Sequence, residues 1–547
     1  MMKKMFFLAA LALAMIPAAA QDTYENARLL GNDLNGTARY VGMGGALEAL
    51  GADISTISSN PAGIGLFRRS SASVSFGLVS QQDCQDFDNL GKTNLSFDQA
   101  GFVYSTRTAR NSYLNFAFNY HKSRNFDQIL SAANQQMRGA SMSKLAFAKG
   151  TKDSDNNGGY YWDTNNQGEI IGWRNQVSNE RAWTYTQWDY LYFNTIGYDQ
   201  DAQEALFVEA EPLGGDAYRF DRAHRGWISD YDFNLSGNIN DRVFLGMTIG
   251  LHSVNYKGYS EYTEHIASFD GIDRGTLTLA DEREISGAGA DVKVGAIFRP
   301  VEDSPFRFGL SIATPTWYDL TSENWTTLYN NTDRTWNNWG YDSGYSHESY
   351  DFKYYTPWKF GLSLGHTIGS EVALGASYEY SDCTASDSRV NDGYDYYGDP
   401  DSYSDSRMKQ NAEQSLKGVH LLKLGAEFRP DPSLAVRLGY NYQSPTYNKD
   451  GFRDTQLNSE LNMYASTADY TNWEDTHRIT CGLGYKHDHL SVDLAYQYST
   501  TSGRFYPFQS NVYFIDPANM AHETCIASGT DVNLKRHQLL LSLTYNF

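Results

Sequence analysis

Proline is scarce, at 13 residues in 547, and cysteine scarcer still, at four. Basic residues are outnumbered, 44 Lys and Arg against 65 Asp and Glu, for a formal charge of -21. A surface so short of positive charge cannot neutralise phosphates, so no nucleic acid is expected as a partner. Beyond the first twenty residues no run of about 18 apolar residues occurs, which excludes a helical membrane protein. No H-E-x-x-H or C-x-x-C string is present, and the 12 histidines show no metal-ligand spacing. The chain therefore does not read as an enzyme, and neither a metal nor another cofactor is expected. What is abundant is Tyr (40), Phe (28), Trp (11) and Gly (47), a composition rich in strands and turns rather than helices.

The first twenty residues read as a signal peptide. Lys3 and Lys4 supply a basic start, Met5 to Ile16 an apolar stretch, and Ala18-Ala19-Ala20 a cleavage site before Gln21. Residues 21–70 are rich in Gly, Ala and Ser, and from Ser71 onward the text changes to alternation with period 2. At the end Leu539, Leu541, Leu543, Tyr545 and Phe547 share one face, as do Leu490, Val492, Leu494, Tyr496 and Tyr498 before them. The opposite faces carry Gly, Ser, Asn and scattered charge, the pattern of strands with lipid on one side and a lumen on the other.

Fourteen such strands are predicted, near 71–79, 95–106, 112–121, 228–238, 243–258, 284–298, 306–316, 353–366, 371–381, 415–428, 433–443, 476–486, 490–500 and 535–547. Short Asn/Asp/Gly/Pro turns alternate with long connections near 122–227, 259–283, 317–352, 382–414, 444–475 and 501–534. Tight turns at one end and long loops at the other predict an all-β, 14-stranded antiparallel transmembrane barrel spanning 71–547, with outer-membrane lipid and lipopolysaccharide around it. Lipid leaves no backbone donor or acceptor unpaired, so the sheet must close. With an even strand count both ends of the sheet lie on one side, and residues 21–70 are free to fill the lumen as a plug. Tyr545 and the terminal Phe547 make the C-terminal signal that barrel assembly machinery reads during insertion.

The segment Thr37-Ala38-Arg39-Tyr40-Val41-Gly42-Met43-Gly44-Gly45-Ala46, followed by Asp53, Ser55 and Asn60-Pro61-Ala62-Gly63, resembles the start of the long-chain fatty-acid outer-membrane transporters, the FadL/TodX-type channels. The resemblance implies a 14-stranded barrel with an N-terminal hatch, monomeric, in the outer membrane of a Gram-negative cell. It further implies passive uptake of a hydrophobic small molecule, which passes from an outer groove to an apolar pocket beside the hatch. The hatch then shifts, and the ligand leaves sideways near strand three. Arg39, Gly42, Gly44, Gly45, Asn60, Pro61 and Ala62 become the hatch and gating residues. On physical grounds alone, the glycines permit close backbone approach, Pro61 fixes a turn and Asn60 caps it. A static plug and a moving one both fit that reading. A polar-solute porin and a surface-binding, adhesive barrel are the competing functions.

Three further expectations concern side chains. Lys293, Arg307, Lys359, Glu379, Lys423, Glu427, Arg437 and Asp493 fall on the lumen parity, where they pair with one another and the plug or guide a carboxylate. In the connection 122–227, apolar residues from Phe126, Ile129 and Leu130 to Phe147 recur at helical spacing, and Trp183, Trp188 and Phe193 belong to a second apolar cluster. The two groups are candidates for an outer hydrophobic loop, and Asp153 to Thr164 only weakly resembles a calcium loop. Cys84 and Cys525 lie in the first and last outer loops, which closure makes neighbours, so a Cys84–Cys525 disulfide is predicted, while Cys481 faces lipid.

Overall fold

The structure is a computed structural model. It describes residues 21–547 apart from 151–159, 165–169, 176–185, 189–190, 193–197, 200–203, 206–213, 268–272, 333–345, 395–399, 454–466, 510 and 517–520. The signal peptide, the Asp153 segment, Trp183 and Phe193 lie outside the described residues. No helix among those described is long and apolar enough to cross a membrane.

Fourteen strands form the barrel: β1 (Ser71–Gln82), β2 (Thr93–Ala109), β3 (Ser112–Asn125), β4 (Gly214–Ile239), β5 (Val243–Ala267), β6 (Asp273–Phe298), β7 (Arg307–Ala313), β8 (Lys359–Ile368), β9 (Val372–Asp382), β10 (Gly418–Asp431), β11 (Leu434–Gln443), β12 (Tyr470–His487), β13 (Leu490–Tyr506) and β14 (Thr530–Asn546). Each pairs antiparallel with the next. The sheet closes where β14 meets β1, from Ser71 opposite Asn546 to Gln82 opposite Lys535. The turns at this end are tight. Asn240 and Asp241 both take positive φ between β4 and β5, as a two-residue hairpin requires.

The long loops are largely more sheet. β5 and β6 continue to Ala267 and Asp273, so the expected long connection at 259–283 is a tall hairpin. Along β5 the outward residues Leu245, Met247, Ile249 and Leu251 give way to Ser253, Asn255 and Lys257. The inward residues change in the opposite sense, from Gly246, Thr248, Gly250 and His252 to Val254, Tyr256, Tyr262 and Ile266. The strand thus inverts its polarity near residue 253. Below, hydrocarbon lies outside and the lumen is polar; above, water lies outside and the interior becomes an ordinary core. The apolar belt continues round the barrel through exposed Phe116, Phe233, Leu310, Leu362, Leu438 and Leu541.

The expected helix across 126–147 is replaced by a strand at Gln128–Asn134 and a helix that begins only at Met142. The upper half of β4 outruns β3 and would leave its N–H and C=O groups unpaired. Gln128–Asn134 covers that edge, with Ile129 opposite Ala223. Edge pairing overrides the local apolar spacing.

Candidate functional site

Residues 21–70 pack against the inner wall. The first stretch lies among the loops. Asp22 caps the helix Thr23–Asn26, its Oδ1 accepting from Tyr24 N at 2.9 Å and Glu25 N at 3.2 Å. Arg453 donates to Asp22 Oδ2 at 2.9 Å and Glu25 Oε1 at 3.2 Å, and Arg283 of β6 pairs with Glu25. Burial alone would raise the Glu25 carboxyl, but the Arg283, Arg453 and Arg28 guanidiniums hold it down at about 2. Asp22 beside it is pushed up by its own burial.

The plug body, residues 37–67, closes the bore. Thr37 caps the helix Ala38–Gly42, accepting from Tyr40 N at 3.1 Å, and Asp53 ties Thr37 Oγ1 (2.9 Å) to Ser55 N (3.0 Å). The plug backbone then runs directly against the wall. A Cβ on wall residue Gly439 would lie 2.1 Å from Gly44 N, and one on Gly246 would lie 2.4 Å from the Pro61 carbonyl carbon. Each strand from β5 (Gly246) round to β12 (Gly482) carries a glycine against the plug, meeting plug backbone on six of the eight strands and the Asn60 side chain at Gly295 and Gly309. Gly44 and Gly45 take positive φ, at 63° and 82°, and Gly42 faces Gly482. Asn60 caps the turn Pro61–Leu66 by accepting from Ala62 N at 3.2 Å, and Pro61 and Ala62 are buried.

Wall side chains supply the polar fit. Asn441 donates to Gly44 O at 3.2 Å, Arg307 to Leu50 O at 3.0 Å, Thr248 to Ile57 O at 2.9 Å and Asn115 to Ile64 O at 2.7 Å. Arg39 reaches Glu427 at 3.3 Å and Asp53 at 4.0 Å. Arg437 holds Glu427 and Asp493, both at 2.6 Å, and Lys423 holds Glu48 at 2.7 Å. Removing one member of such a buried pair costs about 3–5 kcal/mol, because its partner is left charged and unpaired. Lys359 donates to Asn32 at 3.4 Å, and Glu379 lines the chamber above the plug body.

That chamber has two lobes, of about 1490 and 1540 Å³, both open to solvent. They share Leu30, Asp33, Asn35 and Arg478, so plug residues 30–35 divide one space. Its lining is mixed rather than apolar, because at this height the inner face still has the polar parity. The second lobe holds Arg28, Arg124, Arg478 and Arg536. Their hydrogen bonds go to neutral acceptors: Tyr256 Oη for Arg28, Leu30 O for Arg124, Asn441 and Gln443 for Arg478, and Asp127 O for Arg536. Among the described residues none of the four forms an ion pair. The one carboxylate between Arg124, Arg478 and Arg536 is plug residue Asp33; burial would raise it, and Arg124 and Arg536 pull it below its usual range. The lining also holds Arg222, which pairs with Asp469, and the carboxylates Asp98 and Glu474, so five guanidiniums stand against four carboxylates and the positive charge gathers locally around Arg124, Arg478 and Arg536.

Of the loop residues expected to catch a ligand, the four described are buried in separate places. Leu130 and Trp188 join a core with Met142, Phe220 and Phe508; Phe126 packs with Tyr256, and Ile129 with Leu90. They stabilise the loops and present no exposed groove. The expected disulfide does not form: Cys84 and Cys525 stay separate thiols. Cys525 is buried in the loop core, where its Sγ accepts from Ser141 N at 3.2 Å, while Cys84 packs with Phe87 under Gln128–Asn134. Two neighbouring loops that fold into different cores hold their thiols apart. Cys481 is exposed on the outer face. Tyr545 and Phe547 are exposed, and Phe547 N donates to Ser70 O at 2.9 Å where the plug joins the barrel. Gly361-Leu362-Ser363-Leu364-Gly365 has the spacing of a hydrolase nucleophile elbow but runs through the middle of β8, without the strand-to-helix turn that motif needs.

Sequence reasoning missed the wall glycines, the arginine lobe and a His/Asp cluster at His121, Asp230 and Asp232. Lumen parity was the available signal for all three, but only the strand register brings them together.

The fold and site define a plugged, 14-stranded transmembrane β-barrel. No protein-family model and no curated protein matches the chain. Solved structures similar to it include a Pseudomonas aeruginosa FadL homologue (11% identity, 94% of this chain and 99% of that one, TM-score 0.48). The Ralstonia pickettii toluene transporter TbuX (11%, 94% and 99%, 0.45) and the monoaromatic hydrocarbon channel CymD (11%, 95% and 99%, 0.46) are also similar.

Proposed function

We infer that the chain is an outer-membrane channel, working without energy input, for hydrophobic small molecules that carry an anionic group, long-chain fatty acids being the type. The carrying observation is a solvent-open chamber with four guanidiniums that lack ion pairs, floored by a plug pressed to the wall. The apolar tail gains about 0.8 kcal/mol for each CH₂ it buries, and a guanidinium matches a carboxylate in geometry and charge. Downward passage would take the ligand past the plug around Asn60-Pro61-Ala62, where wall glycines touch it, so a shift of that segment is the reading put forward for release. Outer-membrane lipid and lipopolysaccharide are the surroundings that the belt fits.

The test is uptake of labelled oleate by cells lacking their own fatty-acid channel and expressing this chain. Expression should raise uptake, and Arg124→Gln with Arg478→Gln should lower it severalfold at equal barrel content. Uptake equal to that of cells without the chain overturns the reading. The polar part of the chamber lining favours a second reading, a polar-solute porin, which requires steady ionic conductance in a planar bilayer.

A further inference from the structure

Along the first lobe of the chamber, four adjacent strands bring together two histidines, three aspartates and a lysine. Strand register places them in two rows. His121 (β3), Asp230 (β4) and His252 (β5) lie opposite one another in the first. Asp232 (β4), Gly250 (β5) and Asp291 (β6) form the second. All of these side chains face inward and are buried, Asp232 completely.

The hydrogen bonds divide each aspartate into a used oxygen and a spare one. Asp230 Oδ1 accepts from Ser123 Oγ and pairs with His252 Nδ1, both at 2.7 Å. Asp232 Oδ1 pairs with Lys293 Nζ at 3.2 Å, and Lys293 also holds Asp291 at 2.9 Å. The two Oδ2 atoms are left, Asp230 Oδ2 lying 3.7 Å from His121 Nε2 and Asp232 Oδ2 lying 3.6 Å from His121 Nδ1. Asp232 Oδ2 is buried and accepts no hydrogen bond. Leaving a carboxylate oxygen so is costly unless something else occupies the space between these groups. The three donors lie within 4.8 Å of one another. Donors about 2.1 Å from one tetrahedral ion sit about 3.4 Å apart, so a small inward movement completes the geometry.

Gly250 leaves room for the ion pairs of Lys293, whose Nζ would lie 2.9 Å from a Cβ there. A Cβ there would meet Asp291 Oδ1 at 2.4 Å and Asp232 Oδ1 at 3.0 Å. His252, bridging Asp230 and Asp291 (3.3 Å), orients a ligand from behind, as outer partners do in metal sites. Three carboxylates stand here against one ammonium and two imidazoles. We propose that His121, Asp230 and Asp232 form a binding site for a divalent first-row transition cation in the barrel wall, with its remaining coordination positions turned to the chamber. One nitrogen and two oxygen donors suit zinc or manganese better than calcium, which takes six to eight oxygens.

The experiment uses the full chain in detergent, purified through a tag without histidine, stripped with EDTA, equilibrated with zinc and desalted. Metal content by mass spectrometry should reach about one zinc per chain, and cobalt in its place should give visible ligand-field absorption. Asp232→Asn and His121→Gln should each abolish retention, while His252→Gln should weaken affinity ~10- to 100-fold. Glu261→Gln, in the upper part of β5, should retain the metal. Zinc in the unaltered protein no higher than in an EDTA-held control overturns the proposal, as does equal retention by the Asp232→Asn/His121→Gln double variant. Heat-modifiable migration in detergent gels shows which variants have closed barrels, and the result with the unaltered protein stands whether or not they do.

Discussion

Where a wall glycine faces plug backbone, as Gly439 faces Gly44, one added methyl group meets atoms that have no rotamer to move aside. Gly439→Val should therefore destabilise the closed form by about 1–3 kcal/mol through overpacking, read as a lower urea midpoint and faster proteolysis of residues 37–67. Gly237→Ala is the control, since its Cβ would meet nothing nearer than Tyr113 O at 3.9 Å. A second residue, Glu25, makes the plug's upper anchor sensitive to pH. Its carboxyl is lowered from 4.5 to about 2, so the stabilisation is fully present above pH 4.5 and is lost as pH falls towards 2. Asp22, pushed up by burial, works in the opposite sense. Thermal midpoints measured from pH 7 to pH 2 should fall less steeply in Glu25→Gln than in the unaltered chain, and the same slope in both would remove Glu25 from the anchor. The plug glycines were legible because they cluster within a few residues. The wall glycines that face the plug are single letters on eight strands, as ordinary in the text as any strand glycine.

At the scale of the element, period-2 alternation carried the reading as far as the bilayer does. All fourteen membrane-crossing strands were legible, because lipid on one side and a lumen on the other give a strand two unlike faces. Above the belt β5 keeps its alternation but exchanges the meaning of its faces, and a reader looking for apolar-outward residues stops near residue 258. This is why the tall β5–β6 hairpin was taken for a loop. Gln128–Asn134 was misread for a related reason: its partner, the upper half of β4, lies almost a hundred residues later, and nothing local announces an open edge. The inversion makes a sharp prediction. Ile249→Arg places a charge within the belt and should cost about 2–4 kcal/mol near the midplane. Asn255→Arg, three outward positions further up, should cost close to nothing. Urea unfolding in lipid vesicles separates the two, and equal costs would mean that the belt does not end near residue 253.

For the whole molecule, the question is how a barrel with a fitted plug can conduct anything. The plug body is held from all sides, by β11 and β12 at Gly42 and Gly44, by β5 at Pro61 and by β3 at Ile64. Yet it covers little length of chain, its helices are single turns, and most of its bonds are to carbonyls that water or a sliding neighbour can satisfy. Two mechanisms follow from the same contacts. Either the plug is a permanent floor and the chamber only binds, or it shifts and the chamber empties downward or sideways. A covalent tether distinguishes them. Ala38 N lies 2.7 Å from Ser542 Oγ, joining the plug to β14 in the bilayer zone. Cysteines are placed there, as Ala38→Cys with Ser542→Cys, and bridge formation is confirmed by mass spectrometry of a non-reduced digest before binding and uptake are measured. The oxidised protein should bind oleate as tightly as the reduced one, since the chamber lies above the tether. Its uptake should fall to the background of cells without the channel and return on reduction. Uptake that ignores the tether would show that ligand leaves by a route on which the plug body does not stand, and the plug would then be a structural floor.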